Sequence, residues 1–145
     1  MKIASMVSKK IVLGLAAFGL AFGGYVVTSQ EVEAGQARCR GVTATIVGTA
    51  GSDEIDGTPG RDVIVARGGA DDIEGKRGND LICAGAGGDD VEGDRGADRI
   101  FGGAGNDDLE GNRGNDLLHG GRGFDEGEGG RGNDTCRRIE ERESC

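Results

Sequence analysis

The chain has no tryptophan, one histidine, one proline and one tyrosine, and aromatic residues make up 3% of its 145 positions. Aromatic rings bring the largest areas to ordinary cores, so a globular interior of the usual kind has little to be built from. A lone histidine, His119, rules out histidine clusters for metal or catalysis, and neither H-E-x-x-H nor G-x-S-x-G occurs. On a strand such a histidine reads as a surface residue, and no enzyme is expected. Positive charge is short as well: 17 Lys and Arg stand against 26 Asp and Glu, a net charge of −9. Phosphate backbones would be repelled, so nucleic acid is excluded as a partner and cations are favoured.

Only one long apolar run exists, Ile11 to Val27, preceded by Lys2, Lys9 and Lys10 and followed by Val32-Glu33-Ala34. That order reads as an export signal over residues 1–34, cut after Ala34, and implies a secreted, extracellular product with no membrane attachment after cleavage. The run is at the lower edge of a membrane span, so an uncleaved anchor is the alternative. A lipoprotein reading fails because Arg38 precedes Cys39. Export places the four cysteines in an oxidising compartment, where an even count suggests two disulfides, and four cysteines allow three pairings.

What is abundant is glycine, at 31 residues, and it is periodic. Ten consecutive blocks of nine run without insertion from Gly48 to Arg137. The fourth position is glycine in every block, from Gly51 to Gly132. The sixth is always aspartate: Asp53, Asp62, Asp71, Asp80, Asp89, Asp98, Asp107, Asp116, Asp125 and Asp134. The eighth is aliphatic from Ile55 to Leu118, then lapses to Gly127 and Cys136. Glycine permits tight turns and lets backbone carbonyls approach a small object. Carboxylate and carbonyl oxygens, without thiolate or imidazole, are the donor set of calcium. The aliphatic residue, flanked by outward side chains, is the inward member of a three-residue strand. Two blocks then make one coil, and ten make about five.

These blocks match G-G-x-G-x-D-x-(aliphatic)-x, and over residues 48–137 the chain resembles the RTX, or haemolysin-type, calcium-binding repeat family, in particular small secreted actinobacterial members. The resemblance implies an all-β fold, a right-handed parallel β-roll of ten nonapeptides with an N-terminal cap at 35–47 and a C-terminal cap at 138–145. It implies that the first six residues of each block form a turn holding Ca2+ between stacked turns. The ligands would be the ten aspartates with glycine-rich turn carbonyls around Gly51, Gly69, Gly85, Gly87, Gly103, Gly105, Gly121 and Gly123. Two columns of five turns give at most eight ions. The second position departs from the pattern: it is glycine only at Gly85, Gly103, Gly121 and Gly130. Arg77, Arg95, Arg113 and Arg131 recur in the even column, where like charges should lower calcium affinity unless they point away. The odd column, with Asp89 and Asp107, is therefore expected to bind more tightly.

Few aliphatic residues must order many glycines and acids, so calcium is expected to supply the folding free energy and the metal-free chain to be largely disordered. Outward positions differ by parity. Odd blocks carry Glu54/Asp56 through Glu126/Glu128, a uniformly acidic face, most simply a solvated one. Even blocks carry Val63/Val65, Leu81/Cys83, Arg99/Phe101, Leu117/His119 and Thr135/Arg137, a mixed and substantially apolar face. Something covers it: the N-terminal segment or a self-contact first, a cell-surface ligand or homodimer otherwise. Thr45 to Val47 extends the register backward as a partial block. Cys39 with Cys83 and Cys136 with Cys145 are the favoured pairs, because Cys83 faces outward within reach of the N-terminal segment.

Overall fold

In the computed structural model, residues 37–145 are described; the proposed signal at 1–34 lies outside them. Numbered in chain order, β1 (Arg38–Cys39) and β2 (Val42–Thr43) form a small antiparallel hairpin. From β3 (Ile46–Val47) onward, strands alternate between two parallel sheets. The even-block sheet contains β3, β5 (Val63–Gly68), β7 (Leu81–Ala86), β9 (Arg99–Ala104), β11 (Leu117–Arg122) and β13 (Thr135–Arg137). The odd-block sheet contains β4 (Glu54–Asp56), β6 (Asp72–Glu74), β8 (Asp90–Glu92), β10 (Asp108–Glu110), β12 (Glu126–Glu128) and β14 (Glu141–Glu143). The register advances by 18 residues per coil, with Ile73 beside Val91 and Ile82 beside Ile100. The chain is thus an all-β parallel solenoid of about five turns, with no helix among the described residues.

The core follows from period-two patterning. Ile55, Ile64, Ile73, Ile82, Val91, Ile100, Leu109 and Leu118 are all buried between the sheets. The even strands β5, β7, β9 and β11 run six residues rather than the three expected, because pairing continues into the next block's turn, as in Gly85 beside Gly103. That extension brings Ala66 and Ala84 inside, two residues after the aliphatic position and on the same side of the strand.

Both ends are closed by side chains. Cys39 is bonded to Cys83 and packs with Val63 and Leu81, so the hairpin covers the first part of the even sheet. At the other end the tail supplies more than charge: Ile139 is 3% exposed and fills the space beside Gly127, where a Cβ would lie 2.6 Å from its Cδ1. Strand β14 then continues the odd sheet beyond β12, and Cys136 is bonded to Cys145. Both favoured disulfides are present, and they fit an oxidising environment.

Candidate metal centre

Stacking the turns dictates the fourth position. Gly87, Gly96, Gly105 and Gly114 have φ of +142°, +145°, +132° and +150°, and a Cβ on any of them would overlap the carbonyl oxygen of the glycine one coil earlier. Only glycine satisfies both the dihedral and the approach. Those carbonyls, on Gly69, Gly87 and Gly105 in the odd column and Gly78 and Gly96 in the even, accept no hydrogen bond among the described residues. These glycines are half-buried, and their carbonyl oxygens are open to a ligand.

The ten aspartates align in two ladders. From the second coil on, eight of them accept through one oxygen from the backbone N–H of the aspartate one coil before: Asp53 to Asp71 at 2.8 Å, Asp80 to Asp98 at 2.7 Å, Asp89 to Asp107 at 3.1 Å. The second oxygen, Oδ2, of Asp71, Asp80, Asp89, Asp98, Asp107, Asp116, Asp125 and Asp134 is buried and accepts no hydrogen bond. A buried carboxylate oxygen left bare is costly. Eight such atoms repeat along two columns, acceptors for which the protein supplies no donor. The first glycine of the block opens the space: a Cβ on Gly93 would come within 2.8 Å of Asp98 Oδ2, and one on Gly111 within 2.7 Å of Asp116 Oδ2.

Electrostatics agree with geometry. Burial lifts the Asp98 carboxyl to about 7 and those of Asp71, Asp80 and Asp107 to about 6, from 3.8, against the opposing pull of the backbone N–H bond. Aspartates one coil away raise them further. Asp89, Asp116 and Asp125 are shifted upward by the same leading cause.

The first coil differs. Thr49 donates to Asp53 through its backbone N–H at 2.6 Å and its hydroxyl at 3.0 Å, and Thr58 does the same for Asp62 at 2.7 and 2.9 Å. Asp53 and Asp62 are therefore satisfied by protein donors, whereas the eight later aspartates are not. Gly51, in that first turn, accepts the Thr49 hydroxyl. Gly69, Gly85, Gly87, Gly103, Gly105, Gly121 and Gly123 all take positive φ in the odd-column turns. The even column carries the same carboxylate ladder, and Arg77, Arg95, Arg113 and Arg131, paired strand to strand, are exposed and point away from it. At the second position Lys76, Asp94 and Asn112 adopt left-handed φ of +73°, +71° and +68° where glycine is absent. Sequence reasoning passed over the fifth position: Ser52, Asn79, Asn106 and Asn115 accept from the fifth-position N–H one coil on, at 2.9 to 3.1 Å. The recurrence of Asn at that position was the available signal.

Among the described residues no three His, Cys, Asp or Glu side chains cluster, so a cation here would draw one carboxylate per turn and complete its shell with carbonyls. That is the hard-oxygen donor set of calcium, not of zinc or copper, and the bare Oδ2 atoms and free glycine carbonyls fit it. No curated protein and no solved structure gives a significant match to the chain. A family model, the RTX calcium-binding nonapeptide repeat in four copies, matches residues 47–82 and 84–118. The chain therefore carries RTX calcium-binding nonapeptide repeats over residues 47–82 and 84–118, and the same nine-residue register runs unbroken through and beyond those segments.

Proposed function

We propose that this is a secreted calcium-binding module in which Ca2+ enters between successive turns and drives the folding of the roll. The observation that carries this is the set of eight buried, bare Asp Oδ2 atoms. Without a cation the folded chain would hold a column of desolvated carboxylates on each side, and a structure that strains in this way gives up its order readily. Binding energy then becomes folding energy. The ligands on this reading are Asp71 to Asp134, with carbonyls of the fourth-position glycines; Asp53 and Asp62 close the stack through Thr49 and Thr58. Up to eight ions fit, and both columns contribute.

The export signal at 1–34 and the two disulfides support an extracellular setting, where calcium is at millimolar levels and such modules bind at about 0.1 to 1 mM. The reading is of binding, not catalysis. Far-UV circular dichroism of the oxidised chain tests it: a disordered spectrum in chelator and a β spectrum in calcium, with magnesium a poor substitute. A β spectrum that persists in excess chelator would sink the coupling. A second reading, a calcium-stabilised docking module, is favoured by one feature, the cationic and aromatic part of the even sheet around Phe101.

A further inference from the structure

The two faces of the roll are electrically opposite. On the odd sheet, carboxylates line both outward rows of all six strands, from Glu54 to Glu141 in one and from Asp56 to Glu143 in the other. Partial desolvation followed by repulsion between neighbouring rows and strands lifts Glu92 and Glu110 above the usual carboxylate range. On the even sheet the hairpin packs over Val63 and Leu81 and reaches Phe101, whose ring centre lies 4.6 Å from the Arg40 guanidinium at the hairpin's turn. Past that point His119 stands half-buried with its ring centre 5.8 Å from that of Phe101. Arg122 and Arg138 border the same groove, whose floor is glycine backbone and whose lining contains no carboxylate. Among the described residues Arg40, Arg122 and Arg138 have no ion-pair partner, although the chain carries 26 acidic residues.

We propose that the arginine-bordered groove on the C-terminal part of the even sheet docks the acidic sheet of a second copy of the same chain, so that folded rolls stack even face on odd face. Charge complementarity is the first argument. Repetition is the second: the carboxylate rows recur at the strand spacing of about 4.8 Å along the whole odd face, so the three arginines meet carboxylates wherever along the roll they are set. Area sets the strength. The odd face, six three-residue strands about 10 Å long at about 4.8 Å spacing, offers roughly 300 Å² per partner, below a standard specific contact, so assembly is weak, concentration-dependent and driven by charge rather than obligate. The contact is heterologous: each added copy keeps one acidic and one cationic face free, and the stack does not close at two.

The proposal rests on the calcium-loaded roll being the folded form, so far-UV spectra are taken on every sample to separate failure to fold from failure to stack. Light scattering of the full, disulfide-oxidised chain in excess calcium and low salt should show a weight-average mass that climbs past the dimer with concentration. At about 1 M salt, where screening reaches ~3 Å, it should return to the monomer. Arg122→Glu/Arg138→Glu and, separately, Glu92→Lys/Glu110→Lys should each remain monomeric with unchanged calcium titrations, and an equimolar mixture of the two should associate again. A folded parent that stays monomeric at every concentration overturns the proposal. So does a mass that stops at the dimer and ignores the odd-face reversal, which marks an even-on-even pair. Association that survives Arg122→Glu/Arg138→Glu overturns it too, as calcium bridging between acidic faces.

Discussion

Asp98 shows what one side chain is asked to do in this fold. Its Oδ1 accepts a hydrogen bond from the Asp80 backbone N–H, and its Oδ2 is buried with nothing to accept. Asp98→Asn keeps the shape and the amide contact while removing the charge. A lost charged contact of about 1.5–3 kcal/mol is on the order of ten-fold or more in affinity at that site. Because the arginines of the even column point outward, Asp107→Asn in the odd column should raise the calcium midpoint by a similar factor, against the sequence-based expectation of a stronger odd column. Paired calcium titrations followed at 218 nm or thereabouts decide between them. Gly96→Ala places a Cβ against the Gly78 carbonyl at a φ of +145°, and should cost at least about 1–3 kcal/mol of the loaded fold in chemical denaturation. Acidity should act on the metal-free chain in an unusual sense. The folded carboxyls of Asp71, Asp80, Asp98 and Asp107 titrate at about 6 to 7 against 3.8 unfolded, so the folded state binds more protons across that window. Stability of the metal-free roll therefore falls as pH rises from about 4 to 7, and is greatest below the unfolded value. In chelator the chain should gain β signal on going from pH 7.5 to pH 5, while in calcium the midpoint should rise as protons compete for the same oxygens. An equally disordered chain at both pH values in chelator would mean that carboxylate burial is not what resists folding.

At the scale of elements, the repeated coils and the two disulfide-tied ends were legible from residues alone, and the lengths of the even strands and the filling of the last layer were not. Glycine, aspartate and an aliphatic residue at fixed offsets specify turn and strand because each position has one physical task, repeated ten times. The length of the even strands escaped that logic: Ala66 and Ala84 sit in what reads as a turn, and only the partner strand shows that pairing continues through them. Ile139 escaped it too, since it lies twelve residues after Gly127 and outside the nine-residue register. It reaches the core because the tail folds back to lay β14 beside β12. Ile139→Ala should lower the stability of the calcium-loaded protein by about 2–4 kcal/mol, the usual range for emptying a buried aliphatic site, measurable by urea titration in calcium. The hairpin end was read from Cys83 facing outward on the even sheet, and the bond to Cys39 is there. Cys83→Ser should free the hairpin, bare Val63 and Leu81, and increase the fluorescence of an apolar dye in calcium, with the far-UV spectrum little altered. No gain in dye binding would show that packing alone holds the hairpin in place.

For the whole molecule, the 18-residue advance has a mechanical meaning. Each coil occupies about 4.8 Å along the axis when stacked, yet the same 18 residues span about 60 Å when pulled straight. A load applied to the two ends would peel coils one at a time from whichever end yields, lengthening the chain more than ten-fold per coil released. The Cys39–Cys83 bond ties together residues 44 positions apart, so that stretch cannot pay out while the bond is intact, and the coils beyond Cys83 up to Cys136 form the extensible part. Since calcium joins one coil to the next on the reading above, the force needed to release a coil would follow the calcium concentration around the protein. On that reading the length such a chain yields under load would be metered by an ion.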